Sequence, residues 1–316
     1  MNTKLGRFLG ASVVLLGAAL TSVAGADTPT ADQIHAGRSS VYSNLSDSSL
    51  EAVSTPDAIL SLVRTPSNAA PTAIWTMLEH GERVECLECI QYVGKMLYDS
   101  NPKTREISAW WLRRRIFGVF GPGQIYQQTL NAVTDQSQSE STRAYAANAL
   151  GEFLEGAGIA PLAQALAGGK LSDASPVVRL AAANALIRLN NQGPNGELGV
   201  ALNDSDEGVK LAALQGVTHI NVFSATDKLA GLLSDPSANV RRSAAQALGT
   251  MRLGDAVVGL IAVTSPANES DAGVRAAAVW ALGQIADSQA RAAVLAAQND
   301  ADPAVVDAAN IASRRL

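Results

Sequence analysis

The chain has 316 residues, of which 47% are hydrophobic but only 4% aromatic, and a formal charge of −5. This is a folded composition, and abundant alanine with few rings predicts helices packed closely through small side chains. The acidic balance, 22 bases against 29 acids once residues 1–26 are set aside, argues against general nucleic-acid or anionic-membrane binding, which need a basic surface.

Residues 1–26 read as a signal peptide. Lys4 and Arg7 form a basic start, Phe8 to Leu20 a short apolar core, and Ala24-Gly25-Ala26 a small-residue cleavage site. Cleavage between Ala26 and Asp27 is expected to leave a periplasmic or secreted protein. The core is short for a membrane span, which needs about 20 residues, so no stable membrane insertion is expected. Residues 27–56, rich in Ser, Thr, Asp and Ala, read as a flexible mature N-terminus. Residues 57–98 read as a divergent N-terminal helical cap, with helices over Ala73 to Glu79 and Leu87 to Tyr98 split by the turn His80-Gly81-Glu82-Arg83.

Cys86 and Cys89 are the only cysteines. In an oxidising compartment a disulfide is the leading reading of this spacing. A redox pair of the C-x-x-C kind, metal binding with His80, and two free thiols are the alternatives. Covalent haem attachment is disfavoured, because Ile90 stands where the motif needs histidine.

Trp110-Trp111-Leu112-Arg113-Arg114-Arg115 is the most unusual string. Trp110, Arg113, Arg114 and Arg115 are candidates for gripping an acidic peptide, a carboxylate or a sugar. The other reading makes Trp111 core and leaves the arginines solvated or paired.

From residue 99 on, one pattern recurs. A short Asp/Ser/Pro turn is followed by Val-Arg and then by Ala and Leu at helical spacing. Asp235-Pro236-Ser237-Ala238-Asn239-Val240-Arg241 leads into Ala244, Ala247, Leu248 and Gly249; Asp271-Ala272-Gly273-Val274-Arg275 leads into Ala278, Ala281, Leu282 and Gly283. The basic position recurs at 105, 143, 179, 210, 241 and 275, with Val306 in the last copy, at intervals of 31 to 38 residues. That period fits two short helices and two turns. The Asp or Ser caps the first helix. The residues three, six and seven after the basic one share a face and form a buried stripe. Second helices are expected at Leu162 to Leu166, Leu229 to Leu233, Val257 to Ile261 and Ala292 to Ala296. Neither helix buries its apolar side alone, so units stack. The predicted fold is all-α, an α-α superhelix (solenoid) of about seven helical pairs over 99–316.

These turn, Val-Arg and Ala-x-x-Ala-Leu-Gly strings resemble HEAT repeats, in particular the short PBS-lyase HEAT-like repeat, over roughly residues 97–316. The resemblance implies an armadillo-type fold. It also implies that Arg105, Arg143, Arg179, Arg241 and Arg275, with Asp173, Asp235 and Asp271, form an inter-repeat ladder of caps and charge pairs. Some relatives are enzymes: bilin lyase subunits, and deoxyhypusine hydroxylase with His-Glu iron sites. Here the three histidines are followed by Ala36, Gly81 and Ile220, so no His-Glu pair exists to carry over. No catalytic grouping, cofactor or metal site is expected. The leading expectation is a non-enzymatic, periplasmic protein-interaction scaffold. It would bind a partner protein or peptide, and not nucleic acid, along an inner groove lined by the second helices. The alternatives are a C-x-x-C-dependent redox or cofactor-handling protein and a lyase-like enzyme.

Overall fold

A computed structural model describes residues 55–115, 123–166, 172–189, 195–219 and 223–316. The expected signal peptide, its cleavage site at Ala26 and Asp27, and the tail over 27–54 lie outside the described residues. Among the described residues every regular element is helical, and no helix is long and apolar enough to cross a membrane.

The first part holds α1 (Pro56–Arg64), α2 (Pro71–His80) and α3 (Leu87–Met96). Thr55 and Pro56, placed in the tail by the sequence reading, instead cap and open α1: the Thr55 hydroxyl accepts from the Ala58 N–H at 3.2 Å. The turn between α2 and α3 is a 3₁₀ segment, Gly81–Arg83.

The first helix of each unit, 10–14 residues and called long, then alternates with a second of 6–11 residues, called short. The long ones are α4 (Pro102–Arg113), α6 (Glu140–Phe153), α8 (Pro176–Arg188), α10 (Glu207–Val217), α12 (Ala238–Thr250), α14 (Ala272–Ile285) and α16 (Pro303–Ala312). The short ones are α5 (Gln124–Thr134), α7 (Ile159–Leu166), α9 (Asn195–Ala201), α11 (Thr226–Gly231), α13 (Val257–Ala262) and α15 (Arg291–Ala297). The long helices begin where the turn motif predicts. Asn101, Ser139, Ser175, Asp206, Ser237, Asp271 and Asp302 cap them, each side chain accepting from a backbone N–H in the first turn. Such a cap satisfies donors the helix cannot, for about 1 kcal/mol each. Pro102, Pro176 and Pro303 open α4, α8 and α16 at no cost in hydrogen bonds.

The stripe is the core. Ala146, Ala149 and Leu150, Ala182, Ala185 and Leu186, Ala244, Ala247 and Leu248, and Ala278, Ala281 and Leu282 are all buried. Consecutive long helices pack directly on one another, α6 on α8, α12 on α14 and α14 on α16. A glycine sets each of these approaches. A Cβ on Gly151, Gly249 or Gly283 would fall 2.8, 2.6 or 2.8 Å from the Cα of Ala185, Ala281 or Ala312 on the next long helix. The short helices touch one another much less. The closest approaches in the stack are therefore between long helices. Alanine and glycine on the long helices allow this spacing.

Candidate partner-binding groove

The loops that launch the long helices carry a relay of charge. Arg143 pairs with Asp173 at 2.5 Å, Arg179 with Asp204 at 2.7 Å, Lys210 with Asp235 at 2.5 Å, Arg241 with Glu269 at 2.6 Å and Arg275 with Asp300 at 2.8 Å. Each arginine offers Nε and Nη2 together to the two carboxylate oxygens, a bidentate geometry that Lys210 cannot match. The acid always stands two residues before the next cap and also accepts that residue's backbone N–H, as Asp173 does from Ser175 and Asp300 from Asp302. Nη1 turns back to carbonyls of its own loop: Arg179 to Asp173 and Ala174, Arg241 to Asp235 and Pro236, Arg275 to Glu269 and Ser270. The loops holding Asp173, Asp235 and Glu269 are thereby tied to the repeats on both sides.

The electrostatics follow from these bonds. Hydrogen bonds from Arg241 and Arg275 hold the Glu269 and Asp300 carboxyls below their ordinary range. At Asp173 and Asp204 burial pushes the pKa up, but the hydrogen bonds from Arg143 and Arg179 outweigh it and the net shift is downward.

Asp271 serves the ladder as a cap, accepting from the Val274 N–H at 2.9 Å, and also meets Arg242 of the preceding long helix at 3.8 Å, while the bidentate rung to Arg241 is taken by Glu269, two residues before that cap. Among the described residues Arg105 meets no acid; Ser137 occupies the corresponding place before the Ser139 cap. Glu269 and Asp300 were missed as site residues, although the constant offset of acid from cap would have found them.

The aromatic-arginine string divides. Trp111 is fully buried and donates from Nε1 to the Gly81 carbonyl at 3.0 Å. Arg115, expected to face a partner, is 5% exposed. It stacks over Trp111 at 3.5 Å and donates to the carbonyls of Trp111, Gly81, Glu82 and Val84. Four buried carbonyls claim its guanidinium, so Arg115 is removed from the accessible set. Burial lowers its pKa to about 10, which leaves it charged at neutral pH. Arg114 is exposed and pairs with Glu82 at 2.6 Å. Arg113 and Trp110 are half-buried.

Trp110 belongs to a register that the other long helices share. Five residues after the basic position stand Trp110, Asn148, Asn184, Gln215, Gln246, Trp280 and Ile311. The four amides occupy consecutive long helices and are all exposed, with a half-buried tryptophan in the same register on each side. Around this stripe lie two hollows. One, of about 490 Å³, is lined by Gln246, Thr250, Gly273, Ala276, Ala277 and Trp280. The other, of about 180 Å³, includes Arg105, Tyr145, Asn148, Glu152 and Arg188, with Glu152 and Arg188 paired.

Cys86 and Cys89 are bonded at the start of α3, where Cys86 is the cap and its sulfur accepts from the Cys89 N–H. Both are buried, which leaves neither sulfur open to an attacking thiolate. Among the described residues no group of three or more His, Cys, Asp or Glu is placed to hold a metal.

The HEAT-repeat family matches residues 197–269, and the PBS lyase HEAT-like repeat matches residues 274–300. No curated protein matches the chain in sequence. Among solved structures, Kap121p is similar over 83% of this chain at 12% identity and a TM-score of 0.50. The chain spans 34% of that protein, and the likeness bears on the fold alone. Human deoxyhypusine hydroxylase in complex with glycerol (21% identity, 84% of this chain, 96% of the other, TM-score 0.35) is more distant in shape. So is the complex of CpcE and CpcF of phycocyanin lyase from Nostoc (19%, 72%, 94%, 0.38).

Proposed function

Since the chain is a HEAT-repeat protein of the PBS-lyase HEAT-like type, we propose that it is a non-enzymatic scaffold, exported by its N-terminal signal, that binds a partner polypeptide along the exposed face of its long helices. The observation that carries this is the run of exposed amides at Asn148, Asn184, Gln215 and Gln246, in one register and bracketed by Trp110 and Trp280. A side-chain amide donates and accepts, as a peptide group does. Packed helices stand about 8–10 Å apart and an extended chain rises about 3.3 Å per residue. Successive amides would therefore meet a bound strand about every third residue. Amides read backbone without regard to sequence; the indoles at the two ends would supply buried area and side-chain preference. Arg113 and Arg114 lie beside Trp110 and favour an acidic flank on the partner.

Pull-down from periplasmic extract tests this with wild type, Trp110→Ala, Arg113→Glu with Arg114→Glu, and Gln215→Lys with Gln246→Lys as baits. The same partner should be captured by wild type and depleted about tenfold or more by each groove variant, one hot-spot residue contributing at least about 1.4 kcal/mol. A partner retained equally by all four baits would place binding elsewhere. Retention of the protein in the cytoplasmic fraction would defeat the exported part of the proposal.

A further inference from the structure

Among the described residues the relay of charge has one arginine rung without an acid, and it borders the groove. Arg105 is built like the others: it follows the Asn101 cap by four residues, and its Nη1 donates to the carbonyls of Asp99 at 2.6 Å and Ser100 at 2.9 Å. In Arg143, Arg179, Arg241 and Arg275 the remaining edge, Nε with Nη2, grips a carboxylate two residues before the next cap. For Arg105 that place holds Ser137, and neither Nε nor Nη2 has a carboxylate partner among the described residues. The neighbouring acids are engaged. Asp135 accepts from the Ser137 and Gln138 side chains, Glu106 pairs with Lys103, Glu152 with Arg188, and Asp99 accepts from the Asn101 N–H. The guanidinium is nevertheless held in place, lying over the Tyr145 ring at 3.8 Å. It borders the open hollow of about 180 Å³ that Tyr145 and Asn148 also line.

We propose that Arg105 takes its carboxylate from outside the chain, as the anchor for an aspartate or glutamate side chain of the bound polypeptide. The site is pre-organised: two carbonyls and an aromatic face fix the fork, so little rotamer freedom remains to be lost on binding. The planar, two-oxygen geometry selects a carboxylate over an amide, and Asn148 is available to hold the adjoining peptide group. This rests on the groove reading above and gives it a register: the acidic residue of the partner sits at the α4–α6 step, between two and three long-helix spacings from Gln215.

The test uses the full chain labelled with ¹⁵N, the probe acetyl-Gly-Glu-Gly-amide, and its Gln counterpart. The Arg105 Nε–H resonance, assigned from its loss in Arg105→Lys, should move saturably with the Glu probe. With the Gln probe it should respond about tenfold more weakly, as expected for loss of a charge-assisted pair. Ser137→Asp restores the missing acid within the chain. Because Ser137 is exposed, this variant should keep its far-ultraviolet circular dichroism. It should show the Arg105 resonance already displaced and no longer responsive. Equal response to the two probes, no saturable movement, or an unaltered response in Ser137→Asp overturns the proposal. Movement of the Asn148 and Asn184 side-chain amides with Arg105 unmoved sinks the anchor and spares the groove. Arg105 moving while those amides stay still does the reverse.

Discussion

Adding a single methyl group at two glycines should shift stability in opposite directions. In an open helical position Gly→Ala gains up to about 1 kcal/mol, because alanine loses less backbone entropy on folding. Gly231, the last residue of α11, is exposed with nothing within 4 Å of a new Cβ; Gly231→Ala should stabilise by about 0.5 kcal/mol. Gly249 lies where α12 meets α14. Its Cβ would fall 2.6 Å from the Ala281 Cα, 2.8 Å from the Ala281 Cβ and 2.8 Å from Cζ3 of Trp280. Carbon contacts relax near 3.5–4.0 Å, so the two helices must separate by about 1 Å. The closest atom is backbone and cannot rotate away. The same movement stretches the Arg241–Glu269 rung at that step. Overpacking of this kind costs about 1–3 kcal/mol; less the propensity gain, Gly249→Ala should lose about 1–2 kcal/mol. At about 2–4 °C per kcal/mol the thermal midpoint should fall by roughly 2–8 °C. Far-ultraviolet circular dichroism of the two variants and wild type reads this directly. If Gly249→Ala melts at or above wild type, the close approach is not what positions the long helices.

The remaining predictions concern the relay and the first helices. Asp300→Ala leaves the Arg275 guanidinium buried without its acid, the two side chains being 7% and 1% exposed, and should cost about 3 kcal/mol. Removing the exposed Arg64–Glu88 pair, 50% and 67% exposed, should cost under about 1 kcal/mol; comparable losses in urea unfolding would contradict the burial argument. Asp173, Asp204, Glu269 and Asp300 have folded pKa values below their unfolded ones. Their stabilisation is therefore complete above about pH 4–4.5 and is lost as pH falls through the folded values. His80, whose pKa burial lowers, adds a smaller loss beginning below about pH 6.5. Unfolding midpoints that do not change between pH 5 and roughly pH 2.5 would refute the acid part. Replacing Cys86 and Cys89 by serine should cost no more than about 2 kcal/mol, because the bridge closes a loop of only a few residues; a much larger deficit in thermal unfolding would mean the bridge holds more than the start of α3.

Caps, stripe and period were readable in the sequence because the interactions behind them span four residues or fewer. Ser237 caps α12 and Ala244, Ala247 and Leu248 face the core for reasons contained in that helix. Rung partners were not readable in the same way. Asp271 and Glu269 are both acids before one helix, and which of them reaches Arg241 depends on a contact across 28 residues. Arg115 looked like its exposed neighbour Arg114 until the turn at Gly81–Arg83 folded back to offer its carbonyls.

The amino-acid string by itself determined that short helices would form at these places, that each would be apolar on one side, and that a stack of pairs would result, since helix periodicity and capping act locally. Only the tertiary structure decided which helices pack closest, which acid completes each rung, and that Arg105 has none among the described residues. Those outcomes depend on distances between residues far apart in the chain, and such distances arise only when neighbouring repeats settle against one another.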